Sequence, residues 1–146
     1  MKTVDTKEFL GTLCEMTDSG KTVSTVVSGG SMAPFLCANR DFVFLQKPHR
    51  KLKKGDIVLF NRENGDFVLH RILRIKEDEF YLCGDRQTTL EGPVKEADIR
   101  CIAVSAKRKD SLITEKSPVW WFYGTIWSRL VFMRPLIFRL VSLIKK

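Results

Sequence analysis

The chain has 146 residues, of which 44% are hydrophobic and 29% charged, as in ordinary folded domains. This length favours one domain with a modest core over a multidomain arrangement. The net charge of +8 indicates an anionic partner, either a membrane surface or a nucleic acid.

Cysteine usage and the N-terminal sequence bear on location and on metal binding. The four cysteines are widely scattered and form no Cys-x-x-Cys pair, which argues against a zinc site or a thioredoxin-type site. We therefore expect reduced thiols, no metal and no cofactor. Residues 1–20 are polar and acidic and contain no apolar run of the signal-peptide kind. The expected location is cytoplasmic or peripheral to a membrane.

The elements predicted in chain order describe a β-rich domain that follows one short helix. Residues 5–18 have the apolar spacing of an amphipathic helix, which Gly20 ends. Short runs rich in Val, Ile, Phe and Leu then alternate with turn signals, which is typical of antiparallel strands. The predicted fold is mainly β, with an antiparallel core. We expect strands at 22–27, 42–46, 56–61, 67–75, 80–83 and 99–105.

The C-terminal residues differ in character from the rest. The longest stretch free of charge, at 117–128, is too short to span a bilayer. From Arg134 onward, a helical wheel gathers Arg134, Arg139 and the terminal lysines on one side and aliphatic side chains on the other. This amphipathic pattern fits either a basic helix at a membrane surface or a helix docked on the domain or on a partner. The predicted organisation is a helix at 1–20, a β core at 21–107, a linker at 108–117 and a helical segment at 118–146.

One turn between the first two predicted strands has the composition of a catalytic loop. The stretch 28–36 contains two glycines, then Ser31, and then Pro34, so it is neither an ordinary helix nor a central strand. Such a stiff turn can present a hydroxyl beside unpaired backbone N–H groups, as a nucleophile and its oxyanion hole require. The same residue types also make ordinary surface turns.

His70 and two acidic residues are candidates to serve a nucleophilic serine. His70 shares a face of a predicted strand with Val68 and Ile72, whereas the second histidine, His49, lies in a basic loop. Asp85 follows the next strand and Glu91 lies six residues later. In serine hydrolases the histidine accepts the serine proton and a carboxylate orients the imidazole. A structural histidine in a strand and an aspartate capping a turn are the alternative interpretations.

Four motifs occur in the order found in one clan of serine peptidases. Over residues 20–107 the chain resembles signal peptidase I and its relatives, which include the self-cleaving repressors of the SOS response. The usual bacterial enzyme has lysine where this chain has His70, so the sequence is similar to the histidine type found in the endoplasmic reticulum, in archaea and in small stand-alone bacterial relatives. The motifs are Ser28-Gly29-Gly30-Ser31-Met32-x-Pro34-x-Leu36, Gly55-Asp56-Ile57-Val58, Val68-x-His70-Arg71-Ile72 and Gly84-Asp85.

The resemblance implies a serine endopeptidase that cleaves a leader or signal-like peptide, or itself. Ser31 would be the nucleophile and His70 the general base. Asp85 matches the acid of the Gly-Asp turn, with Glu91 as the alternative. The substrate would be a peptide or protein bound as an added strand, with small side chains flanking the cleaved bond. The oxyanion hole and substrate site would lie at Gly30, Ser31, Met32 and Pro34.

Two other functions compete with this one. A catalytically inactive peptide-binding module of the same fold would keep the cleft without turnover. A nucleic-acid-binding regulator would need the basic run at 47–54, but no helix-turn-helix pattern precedes residue 20, so no nucleic-acid partner is expected. A peripheral membrane contact through residues 118–146 is compatible with either peptide-directed function.

Overall fold

The computed structural model describes residues 6–144 and confirms the mainly antiparallel β fold with a helix at each end. Eight strands form one sheet in the order β1-β2-β7-β3-β4-β5-β6, and β8 pairs with β7. The elements are α1 (Thr6–Asp18), β1 (Val23–Val26), β2 (Phe42–Gln46), β3 (Ile57–Asn61), β4 (Phe67–Lys76), β5 (Glu79–Cys83), β6 (Glu91–Lys95), a 3₁₀ turn (Glu96–Asp98), β7 (Ile99–Arg108) and β8 (Ser111–Thr114).

Helix α1 is amphipathic and packs one side on the sheet. Leu13, Cys14 and Thr17 are buried there. At its C-terminus, Gly20 has a φ of +92°, and its N–H and that of Lys21 donate to carbonyls of the last turn. Glycine adopts this left-handed conformation without strain, so the helix ends where the sequence predicts. Residue 5, the first of the predicted helix, lies outside the described residues.

The core has two apolar clusters, one on each face of the sheet. In β3, Ile57 and Leu59 join the cluster that includes α1, whereas Val58 and Phe60 join the opposite one. Because side chains alternate along a strand, a run that is apolar at every position marks a strand covered on both faces. Strand β3 is therefore central and rigid, and it holds β4 beside it over Phe67–Arg71.

Two strand edges stay unpaired on the same side of the molecule. Among the described strands, β1 pairs only with β2. Strand β4 pairs with β5 from Arg71 onward, so residues 67–70 hydrogen-bond only to β3. The free edges of β1 and of residues 67–70 both border one cleft.

Two stretches differ from their predicted structure. The predicted linker at 108–117 contains β8, which pairs with the end of β7. Strand β6 was not predicted because Gly92 and Pro93 interrupt its apolar pattern, and both residue types are usually depleted in strands.

The C-terminal segment, residues 118–144, is a chain of short helical pieces: α2 (Pro118–Trp121), a π turn (Phe122–Ile126), a 3₁₀ helix (Trp127–Met133) and α3 (Arg134–Ile144). Trp120, Trp127 and Val131 are buried against the domain. Arg134, predicted on an exposed basic side, is fully buried instead. Within residues 6–144, no helix has the length and apolar composition needed to cross a membrane.

Candidate active site

The turn that carries Ser31 is held from below by apolar side chains. Met32, Phe35 and Leu36 are almost completely buried in the cluster beneath α1. The Leu36 N–H donates to the Met32 carbonyl, and Arg108 Nε donates to the Phe35 carbonyl at 2.7 Å. The alternation of small residues with these anchors presents Ser31 at the surface of a rigid turn, partly exposed to solvent.

Several backbone donors beside Ser31 are uncommitted. The N–H groups of Gly30, Ser31 and Met32 make no hydrogen bond to any residue between 6 and 144. Unpaired N–H groups next to a hydroxyl have the composition of an oxyanion hole. Ser31 and Met32 line the cleft, whereas Gly30 is absent from the lining and Pro34 is exposed outside it. Pro34 therefore belongs to the turn and not to the wall of the cleft.

Gly84 brings the Ser31 turn to the end of β5. A Cβ atom at residue 84 would lie 2.9 Å from Ser31 Cβ and even closer to the Ser31 carbonyl oxygen. That carbonyl also accepts the Arg86 N–H at 2.9 Å. Only glycine allows this approach. The register between β4 and β5 ends at the pair Arg71↔Cys83, so His70 and Gly84 are each the next residue beyond it. The side chain of His70 lies on the face of the sheet that carries Val58 and Phe60, whereas the cleft beside Ser31 lies on the face that carries Leu59.

His70 is buried in β4 and its ring lacks a hydrogen-bond partner. It is 1% exposed, lies opposite Val58 and packs 5.8 Å from the Phe60 ring, centroid to centroid. Its Nδ1 is buried without a partner. Within the described residues, the ring makes no hydrogen bond to the Ser31 hydroxyl; in enzymes such bonds often tighten only when substrate binds.

Glu91 is the carboxylate beside His70. Its Oε1 lies 4.0 Å from His70 Nδ1. Arg62 holds this carboxylate from the other side with two hydrogen bonds of 2.8 Å, which lower the pKa of Glu91. Burial lowers the pKa of His70 to about 4, although the Glu91 charge partly opposes this shift. The imidazole is therefore neutral at pH 7, the state that can accept a proton.

The two charged neighbours predict opposite changes in His70 titration. Arg62→Gln removes a cation that disfavours imidazolium, so the pKa of His70 should rise, although burial still holds it below its ordinary value. Glu91→Gln removes an anion that favours imidazolium, so the pKa should fall. If an activity needs neutral His70, the acid limb of its pH–rate profile should shift in the same directions. NMR titration of the His70 ring protons measures this directly, with Glu96→Gln as control. A wild-type His70 that titrates near 6.5 would contradict the geometry.

Asp85, the acid favoured by sequence, lies in a different network. Both of its oxygens accept from Arg71, at 2.9 Å from Nε and 2.9 Å from Nη2, and both side chains are fully buried. Arg71 also donates to the Gly55 carbonyl and lies over the Phe35 ring. Asp85 thus pairs with Arg71, whereas the carboxylate within 4.0 Å of the His70 ring is that of Glu91. Of the two candidate acids, Glu91 and not Asp85 therefore lies beside the His70 ring.

The C-terminal segment clamps the turn that contacts Ser31. Trp127 Nε1 donates to the Asp85 carbonyl at 2.7 Å. Arg134 Nη1 donates to the carbonyls of Gly84 at 3.0 Å and Gln87 at 2.8 Å. Because these bonds replace water on a buried turn, they fix its position against Ser31.

An apolar cleft of about 320 Å³ opens beside Ser31. Its walls are the two free strand edges, and α1 adds Phe9 and Leu10. An extended peptide placed here could hydrogen-bond to both edges. Among the residues that the structure describes, no charged one contributes to the lining, which consists of Phe9, Leu10, Thr25, Val26, Val27, Ser28, Ser31, Met32, Val43, Leu45, Leu59, Phe67, Val68 and Leu69.

Sequence reasoning did not assign a role to the arginines that organise this site. Arg71 stands where the pattern of Phe67 and Leu69 calls for an apolar inward residue, and a charge at such a position signals a buried partner. Arg62 gave no comparable signal, because it lies in a polar hairpin loop. Arg134 looked like part of an exposed face.

One of three comparisons with known proteins yields a match. A family model described as Peptidase S24-like matches residues 3–105, from the N-terminal residues through most of β7. The match includes Ser31, His70, Asp85 and Glu91 and leaves out β8 and the C-terminal segment. Comparison with curated proteins and with solved structures yields no match. Since the family model covers well over half of the chain, the protein belongs to the Peptidase S24-like family.

Proposed function

We propose that the protein is a serine endopeptidase of the histidine, signal-peptidase-like type. The observation that carries this proposal is the position of Ser31 at the end of an apolar cleft that lies between two unpaired strand edges. A peptide that enters such a cleft extends the sheet, and its main chain supplies affinity without regard to sequence. Ser31 then stands beside the peptide backbone with free N–H groups around it.

The proposed mechanism uses groups already described. Ser31 Oγ attacks the carbonyl carbon of the peptide bond while neutral His70 accepts the hydroxyl proton. The oxyanion that forms is stabilised by the free backbone N–H groups of residues 30–32. As the tetrahedral intermediate collapses, the C–N bond breaks, His70 gives the proton to the leaving amine, and an acyl ester on Ser31 Oγ remains. A water molecule that gives up a proton to His70 then attacks this ester, which releases the acid and restores the Ser31 hydroxyl. Glu91 stabilises the imidazolium that exists between these steps, because its ionised carboxylate faces Nδ1.

The lining of the cleft determines the class of substrate. Apolar side chains are favoured in a lining that offers no charged partner, and a charged side chain would lose its hydration there. The volume of about 320 Å³ admits side chains larger than alanine. We therefore expect cleavage next to apolar residues of a leader, a signal-like peptide or a segment of the protein itself.

A peptide library analysed by mass spectrometry tests this function. The wild type should cleave next to apolar residues and reject Asp, Glu, Lys and Arg at the positions seated in the cleft. Val26→Lys places a cation on the cleft wall, so cleavage of apolar peptides should fall by about 10-fold or more, with acidic residues newly accepted. Leu112→Lys also replaces an exposed aliphatic side chain by lysine, but on β8 and outside the cleft, so it should leave the cleavage profile unchanged. Cleavage without any preference at these positions would contradict the assignment of the cleft.

A second candidate is a peptide-binding module without catalysis. The missing hydrogen bond between the Ser31 hydroxyl and the His70 ring favours it. In that case peptides with the same apolar pattern would bind, yet no cleavage would occur at any pH between the pKa of His70 and neutrality. Binding measured by fluorescence anisotropy, together with the cleavage assay, separates the two functions.

A further inference from the structure

The C-terminal segment exposes an unusual amount of apolar surface. Its exposed side chains are, in the order of the chain, Trp121, Phe122, Ile126, Phe132, Met133, Leu136, Leu140, Val141, Leu143 and Ile144. Phe132 is 93% exposed and Ile144 is 81% exposed. Contiguous apolar surface of this kind on a folded protein marks a site of interaction.

Within the described part of the chain, no residue covers the end of α3. Residues 140–144 are all exposed, and five consecutive residues go more than once around a helix. A partner protein would cover one side of this turn, whereas a fluid apolar phase would surround it. A helix end that is apolar on nearly all sides therefore fits lipid better than a protein groove.

The charge of the segment specifies the kind of lipid. Residues 118–146 contain no Asp or Glu, and they carry Arg129, Arg134, Arg139 and the terminal lysines. Arg134 is buried, but Arg129 and Arg139 are exposed among the apolar side chains. Arginines beside exposed aromatic side chains match the phosphate level of an anionic bilayer, where the rings occupy the interface.

We propose that residues 118–144 dock the protein on the surface of an anionic phospholipid membrane. The exposed apolar side chains of α3 and of the preceding 3₁₀ helix enter the interface between headgroups and acyl chains. Arg129 and Arg139 contact lipid phosphates. The segment lies on the bilayer without crossing it, because α3 has only 11 residues. This inference does not depend on catalysis.

Co-sedimentation with lipid vesicles tests the proposal on the full chain carrying Ser31→Ala, so that peptidase activity has no influence. The protein should sediment with vesicles of phosphatidylcholine mixed with phosphatidylglycerol and should bind pure phosphatidylcholine at least about 10-fold more weakly, with added salt reducing the difference. The triple variant Leu136→Ser, Leu140→Ser, Leu143→Ser should lose about 100-fold or more in affinity, since each leucine contributes burial of a large side chain.

Matched controls make the outcome interpretable. Leu90→Ser with Leu112→Ser removes exposed leucines outside the segment and should leave vesicle binding unchanged. Arg129→Gln with Arg139→Gln should reduce binding to anionic vesicles only. The proposal is overturned if the wild type stays in the supernatant with both kinds of vesicle, or if the triple variant binds like the wild type. A second copy of the chain would be the partner instead if the wild type does not bind vesicles, sediments as a dimer, and the triple variant sediments as a monomer.

Discussion

Replacing Ser31 by alanine should lower peptide cleavage by about 10⁴-fold while leaving the fold intact, because the variant keeps the cleft and loses the nucleophile. Ser31 is partly exposed and its side chain holds no other residue in place. His70→Gln should cost about 10²–10⁴-fold, the usual contribution of a general base. Each kcat/KM should be measured with the peptide preferred by the wild type.

The double variant gives the sharper test of the pair. When a nucleophile and its base act as one unit, removing both costs little more than removing the nucleophile alone. Ser31→Ala with His70→Gln should therefore cleave about as slowly as Ser31→Ala. Ser111→Ala and His49→Gln, which change the same residue types away from the cleft, should keep wild-type rates. Losses that simply multiply would show that Ser31 and His70 act independently.

Asp85→Ala should lower the free energy of unfolding by about 3–5 kcal/mol, since it leaves the Arg71 guanidinium buried without its carboxylate. Both side chains are fully buried and joined by two hydrogen bonds. Urea unfolding followed by tryptophan fluorescence measures the change. Total stabilities of small domains are about 5–15 kcal/mol, so this variant is near the limit of folding. Asp85→Asn, which keeps the size of the side chain, provides a measurable intermediate.

A second substitution separates a structural role from a catalytic one. Arg71→Met with Asp85→Ala removes the whole ion pair and should recover much of the lost stability, as apolar replacements of buried pairs do. Exposed Asp98→Ala should change stability by less than about 0.5 kcal/mol. If Asp85→Asn instead kept full stability and shifted the pKa of His70, then Asp85 would be the orienting acid and Glu91 would not.

Most of the sheet could be predicted from the sequence because its strands are short, apolar and bounded by turn residues. Strand β3, for example, reads as four apolar residues after Gly55-Asp56. Strand β6 could not be predicted in the same way, since its pairing with β5 comes from tertiary contact and not from the composition of Glu91–Lys95. The short β8 is likewise paired because β7 extends past β3 and offers it an edge.

The sequence supplies candidates for the site but not their pairing. The order of the motifs makes Ser31 and His70 candidates, but spacing along the chain does not decide which acid faces the histidine. That choice depends on two arginines. Arg71 lies next to His70 in β4 and points to the opposite face, where it binds Asp85, and Arg62 turns Glu91 toward the imidazole.

The C-terminal segment shows the limit of a helical wheel. The wheel grouped Arg134 with Arg139, since both fall on one side of a regular helix. The carbonyls of Gly84 and Gln87 instead draw Arg134 into the domain, and no pattern within residues 118–146 announces those acceptors. The sequence shows that the segment is rich in apolar side chains, but it does not show which of them stay exposed to solvent.

The pairing of Ser31 with His70 is tested most directly by a crystal structure with a bound apolar peptide boronic acid. We predict a covalent bond from Ser31 Oγ to boron, the peptide lying as an added strand between β1 and residues 67–70, and a His70 ring nitrogen within about 3 Å of Ser31 Oγ. A peptide seated in the cleft without this bond, with the His70 ring still packed on Phe60 and beyond hydrogen-bond reach of Ser31, would contradict the proposed catalytic pair.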